Sequence, residues 1–182
     1  MTVTLVLMGV SGVGKTSVAE ELVERTGWEF VEGDDLHPER NRAKMTSGTP
    51  LDDDDRWPWL RRVAEWIGER EAAGRSGVVT CSALKRAYRD LLRDGHPSVR
   101  FVHLLAPPDL IEQRVNARTG HYMPPSLLQS QLDTLQPLGA DEPGVGVDTS
   151  GDPATVAERA LRLLREEFPA DHRPDEAGTG QD

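Results

Sequence analysis

Cysteine is almost missing from this sequence. Cys81 is the only one in 182 residues, so no disulfide can form within the chain, which suits a reducing compartment. Lysine is nearly as scarce: Lys15, Lys44 and Lys85 stand against eighteen arginines. Three are few enough to arise by chance, yet a retained lysine also suits a position that needs a compact point charge rather than a planar guanidinium. A basic surface is lacking too. The net charge of −10 opposes general binding to nucleic acid or to an anionic membrane, both of which draw affinity from positive charge, so an anionic ligand must meet a local positive cluster. No apolar run approaches the ~20 residues that cross a bilayer. The short run in residues 1–10 has neither a basic start nor a small-residue cleavage site, and is expected to be a strand rather than a secretory signal. A cytoplasmic protein that binds neither nucleic acid nor membrane is the expectation.

What remains is an ordinary soluble composition, 37% hydrophobic and 29% charged, in a length that suits one compact domain. β-rich apolar runs occur at Thr2–Met8, Trp28–Val31, Gly77–Cys81, Val99–Leu105 and Gly144–Val147. Helical patterns fill the gaps, at Thr16–Thr26, Pro38–Met45, a long stretch opened by DDDD with Pro58 in its first turn, Lys85–Asp94, Pro108–Ala117, Ser126–Leu135 and Pro153–Phe168. This alternation predicts an α/β fold with a parallel sheet of about five strands covered on both faces. The domain is expected over residues 1–168, followed by a polar, aperiodic and disordered tail over 169–182.

The first run leads straight into Gly9-Val10-Ser11-Gly12-Val13-Gly14-Lys15-Thr16, a full match to G-x-x-x-x-G-K-[ST] between a strand and a helix. Glycines there let backbone N–H groups turn inward on phosphate oxygens, while the next helix aims its positive end at them. The nucleotide site is therefore placed on Gly9 to Ser17, with Lys15 reaching the β and γ phosphates of ATP and the Thr16 hydroxyl a ligand for Mg²⁺. No Asn-Lys-x-Asp motif occurs and the third strand does not end in an aspartate, which disfavours a GTPase or a motor ATPase. Mg²⁺ is then expected to be held by Thr16, phosphate oxygens and water, with an acid from another strand as an optional helper.

The second strand runs into EGDDLHPERNRAKM. Asp34 and Asp35 thus stand at the carboxyl end of a strand, where open α/β sheets bind ligands. A carboxylate there can orient an alcohol and accept its proton as it attacks a phosphoryl group. Ser82 and Lys85, after the third strand, share that edge. Asp52–Asp55 is expected to be mostly a solvated helix start rather than a metal cluster, because four successive carboxylates cannot converge on one ion from a helical turn. Cys81 is expected to be a small buried residue, and Trp57, Trp59 and Trp66 to serve packing.

The blocks GVSGVGKT, GDDLHPERNRAKMTSGTPLDDDDRWPWL, CSALKRAYRDLLR, RTGH and QLDTLQPLGADE, in this order, resemble the small P-loop gluconokinase family over about residues 4–165. The resemblance implies a P-loop three-layer αβα kinase fold related to shikimate and nucleoside monophosphate kinases. It implies substrate-binding helices over about 35–75 and a lid over about 118–135. It also implies ATP-dependent phosphorylation of D-gluconate at its 6-hydroxyl, feeding gluconate catabolism and the pentose phosphate pathway, by a homodimer. Within that frame Asp34 orients the hydroxyl and acts as base, Arg56 pairs with the carboxylate, His37 and Asn41 bond hydroxyls, and Ser82 and Lys85 lie near the phosphate or the sugar acid. Arg114 stacks on adenine, Arg118 reaches the transferring phosphoryl, and His121 contacts phosphate or sugar from the lid. This chain has Thr119 where members commonly carry a basic residue before Gly-His, removing one lid cation. A kinase of the same fold with another acceptor, and a nucleotide-binding module without turnover, stay open at this point.

Overall fold

The structure, a computed structural model, describes residues 1–117 and 125–172. Its centre is one five-stranded sheet of β1 (Thr4–Met8), β2 (Glu29–Glu32), β3 (Gly77–Thr80), β4 (Val99–Leu105) and β5 (Gly144–Asp148), in the order β2-β3-β1-β4-β5. Every pairing is parallel, so all five carboxyl ends lie on one edge. Strands this apolar belong to a sheet covered on both faces. In β1, Leu5 and Leu7 pack toward one face while Val6 and Met8 pack toward the other.

Among the described residues seven helices cover the sheet: α1 (Lys15–Thr26), α2 (Glu39–Thr46), α3 (Asp53–Ala72), α4 (Arg86–Arg93), α5 (Pro108–Ala117), α6 (Pro125–Thr134) and α7 (Pro153–Glu167). The first face buries Val18, Ala19 and Leu22 of α1, Ile111 of α5, and Val156, Ala160 and Leu164 of α7. On the opposite face lie Trp59, Leu60, Val63 and Ile67 of α3 with Tyr88 and Leu92 of α4. Two continuous apolar layers around a parallel sheet make the three-layer αβα arrangement that the alternation of strand and helix demanded. None of the described helices is long and apolar enough to cross a membrane.

Two expectations need correction. Pro58 sits in the second turn of α3, because that helix begins at Asp53 with Asp52 as its cap. Residues 169–172 form a short 3-10 turn rather than a structureless start to the tail, held where Arg100 donates to Asp171 at 2.8 and 3.1 Å. Residues 173–182 lie outside the described residues.

Candidate active site

The loop after β1 turns on glycine. Gly12 has φ +83°, and a Cβ there would stand 2.3 Å from Val115 Cγ2, so a side chain is excluded by conformation and by space. The loop delivers α1 with Gly14 as its N-cap, no side-chain cap and no acid in its first turn. Its first amides therefore point outward without an internal acceptor, the arrangement that suits an anion. The Lys15 ammonium folds back over the loop, donating to the carbonyls of Gly9 at 2.9 Å and Val10 at 3.0 Å. From α6, Gln131 accepts from the Ser11 N–H at 2.7 Å and donates to its hydroxyl at 3.1 Å.

Beside this loop is a cavity of about 280 Å³ lined by Gly12, Gly14, Ser17, Val18, Arg114, Thr149 and Pro153, among others. Arg114 forms a fixed wall: its guanidinium donates to Val13 O at 3.0 Å, Thr149 Oγ1 at 2.9 Å and Thr149 O at 2.6 Å. Held in this way, Arg114 lines the cavity. Thr149, which holds it, was not singled out in the sequence.

Glu32 was missed as well. Its carboxylate accepts from Thr16 Oγ1 at 2.9 Å and from Thr80 Oγ1 at 2.6 Å, so the last residue of β2 is tied to the P-loop threonine. An all-oxygen set of one hydroxyl and one carboxylate suits a hard cation that keeps most of its ligands from water and phosphate. The signal was available: Glu32 is the acid on another strand that the missing Walker aspartate called for. Among the described residues no cluster of three or more His, Cys, Asp or Glu side chains forms a self-sufficient metal site.

The second strand ends at a close approach. A Cβ on Gly33 would lie 1.8 Å from Thr80 O, and the Gly33 N–H donates to Thr80 Oγ1 at 3.1 Å. Only glycine lets the chain turn there into a 3-10 turn over Gly33–Leu36, which leaves the Asp34 side chain 69% exposed at the sheet edge. Asp34 and Lys15 both act electrostatically on Cys81, which places this lysine and this carboxylate around the end of β3. Burial pushes the Cys81 thiol up to about 12; it is an inert core group, as expected.

His37 and Asn41 are brought together. Asn41, 2% exposed, donates from Nδ2 to Asp55 O at 2.8 Å and faces His37 Nδ1 at 3.1 Å. Its amide nitrogen therefore supports His37. His37 stacks on Trp59 at 4.2 Å, and Trp59 Nε1 donates to Gly33 O at 2.8 Å. Burial first, then the Arg42 and Arg56 charges, hold His37 down at about 4.

The acidic run is also more than a solvated helix start. Asp52 caps α3, and Asp55 completes a capping box as its buried third residue, taking Lys44 at 2.6 Å. The Lys44 hydrogen bond keeps the Asp55 carboxyl below the usual range. Asp53 holds a second network, accepting from the Tyr88 hydroxyl and from Lys85 at 3.2 Å. Arg56 donates to the Tyr88 hydroxyl at 3.3 Å, with its Nη1 3.9 Å from Asp53. The Tyr88 bond, then the Lys85 bond, lower the Asp53 pKa, and Asp53 raises that of Lys85. Arg56 and Lys85, the two expected cations, thus flank one tyrosine, each within 6 Å of its ring centre. Tyr88 and Asp53 were missed because neither acts alone; Tyr88 sits three residues after Lys85 on the same helix start.

Ser82 lies beside the P-loop, its carbonyl accepting from the Gly9 N–H at 3.2 Å. The loop it belongs to is fixed from below by Arg89, which donates to Ala83 O at 2.8 Å and pairs with buried Glu142 at 2.6 Å. Arg118 and His121 lie outside the described residues.

Comparison with known proteins agrees with this layout. A family model described as an AAA domain matches residues 5–138. The chain is 48% identical to a gluconokinase of Gluconobacter oxydans (strain 621H) over 90% of its own length and 92% of that protein's. An unliganded sugar kinase from Janibacter sp. HTCC2649 superposes with a TM-score of 0.84 at 50% identity, covering 96% of this chain and all of that one. A gluconokinase from Sinorhizobium meliloti 1021 does so with a TM-score of 0.80 at 45% identity, over 93% and 98%. Identity at this level over nine-tenths of both chains means that the chain belongs to the gluconokinase family.

Proposed function

We propose that the protein transfers the γ-phosphoryl group of ATP to the 6-hydroxyl of D-gluconate, giving 6-phosphogluconate and ADP. Family membership supports the reaction class. The observation that carries the acceptor half is Asp34, an exposed carboxylate one strand removed from the P-loop strand. Two strand spacings amount to ~10 Å, room for an alcohol oxygen and a phosphoryl group between Asp34 and Lys15.

Lys15 exchanges the Gly9 and Val10 carbonyls for the β and γ phosphates, while the uncapped amides of α1 take phosphate oxygens. The nucleotide base occupies the cavity against Arg114. Asp34 accepts the hydroxyl proton as the oxygen attacks the γ-phosphorus. The bond from that phosphorus to the bridging oxygen breaks, and ADP leaves with the electron pair. The Thr16 hydroxyl and, through water, Glu32 would hold Mg²⁺, which when bound neutralises charge on the phosphate oxygens.

At the other end of the acceptor, Arg56 and Lys85 offer their charges to the gluconate carboxylate, with Ser82 and the Tyr88–Asp53 pair nearby for hydroxyls. His37 stands beside Asp34. Arg118 as a phosphoryl contact and His121 as a lid contact rest on their motif. A cytoplasmic homodimer with a lid over about 118–135 completes the reading on family grounds.

Coupled measurement of ADP release over gluconate, shikimate, glycerate and nucleoside monophosphates tests the assignment. Turnover with gluconate alone is the expected result; equal or faster turnover with another acceptor removes it.

A further inference from the structure

The pair Asn41 and His37 has a chemical consequence beyond packing. Asn41 Nδ2 lies 2.8 Å from the Asp55 carbonyl oxygen, which can only accept, so that atom is the amide nitrogen. Its second hydrogen points at His37 Nδ1, 3.1 Å away. An N–H at Nδ1 would meet that hydrogen head-on, so Nδ1 must carry its lone pair and the ring proton must sit on Nε2. The ring plane is fixed as well, by the stack on Trp59 at 4.2 Å. The nitrogen left facing outward, Nε2, is 3.9 Å from Asp34 Oδ1. That is longer than a hydrogen bond, but Asp34 is exposed enough to rotate, and such contacts tighten when substrate binds.

We infer that His37 is a positioning residue for phosphoryl transfer, a neutral Nε2–H donor locked by Asn41 that fixes one oxygen of Asp34 so that the other takes the acceptor hydroxyl's proton. The inference rests on the role proposed for Asp34. The charged groups placed against the ring are Asp34 on the 3-10 turn, Arg42 on α2 and Arg56 on α3. Burial and the two arginines keep the ring neutral through the working pH range, so the donor neither gains nor loses its proton there.

Two substitutions separate the donor from the ring. His37→Phe keeps the stack on Trp59 and removes the N–H. His37→Gln loses the ring and keeps an acceptor for Asn41 beside a donor for Asp34. His37→Phe should lower kcat by ~10-fold or more with the KM for ATP unchanged, and His37→Gln should restore most of the loss. Wild-type kcat in His37→Phe, or a folded His37→Gln as slow as His37→Phe, overturns the inference.

Nitrogen-15 NMR of the unsubstituted protein gives a test independent of substrate and of variant folding. The His37 signals should show a bare Nδ1 and a protonated Nε2, unchanged from pH 8 to pH 5. A proton on Nδ1, or titration within that window, overturns the lock. If the lock is present and the protein does not phosphorylate gluconate, it is the functional reading that has failed.

Discussion

The N-termini of α1 and α3 frame the two halves of the site and are finished in opposite ways. α1 begins at Gly14 with no side-chain cap and no acid in its first turn. α3 begins with a full capping box, Asp52 with Asp55, and three acids in its first turn. The first leaves its amides and its positive end to a ligand; the second satisfies its own and uses what remains of its carboxylates to hold Lys44, Lys85 and Tyr88. In the proposed reaction phosphate is therefore met by backbone, and the sugar acid by side chains that the protein's own acids hold in place. A backbone site tolerates little variation in conformation and much in side chain. A side-chain site is the reverse, and can be retuned one residue at a time.

The largest test of this contrast is at the lysine of the donor half. Lys15→Met should reduce kcat by about 10²–10³, the usual loss when one preorganised electrostatic contact to a developing charge is removed. Tm should hardly change, because the half-buried Lys15 belongs to neither apolar layer of the core. A fall in Tm with little change in kcat would mean that Lys15 serves the loop rather than the phosphate.

On the acceptor half, Asp34→Asn should lower turnover by ~10²-fold while nucleotide affinity stays the same. Unchanged turnover removes Asp34 as base. Smaller and different in kind is the effect of Arg56→Ala. A hydrogen bond to a charged group contributes about 1.5–3 kcal/mol, so the KM for gluconate should rise ~10-fold or more with kcat nearly kept. An unchanged KM would shift the carboxylate to Lys85.

The same division decided what the sequence could reveal. The phosphate cradle is contiguous, and its demands fall on backbone conformation, so glycine spacing between a strand and a helix was enough to place it. The strands were legible because a parallel sheet buried on both faces needs unbroken apolar runs; Val99–Leu105 was bounded correctly at both ends. The acceptor half joins residues 32 to 35 positions apart, such as Asp53 with Lys85 and Tyr88, and no local period encodes such pairs. Asn41 was read without its Asp55 partner for that reason. Its type suits a hydroxyl contact, and only the three-dimensional position of the Asp55 carbonyl shows where its amide goes. Asp55 itself looked like one of four exposed acids, because burial of the third residue of a capping box depends on α2 lying across it.

The smallest effect concerns acid. Two histidines, His37 and His103, are held at about 4, each chiefly by burial, with nearby arginines adding to it. His103 lies in β4 and points to the α3 and α4 side of the sheet, in line with Val99 and Phe101, so both belong to the layer beneath the acceptor half. For such a base the unfolded chain takes a proton below about pH 6.5, while the native state refuses it until about pH 4. The unfolded state then binds more protons, so stability falls as the pH is lowered through that interval and is regained as it rises. Tm measured from pH 7 to pH 4 should decline, and His103→Leu should flatten the decline. His37→Phe should flatten it further, the two adding because the residues lie on separate elements. Substitutions in the α1 and α7 layer should leave the slope alone. A slope that persists in the double variant would place the acid sensitivity outside the acceptor layer and dissolve this part of the contrast between the two halves.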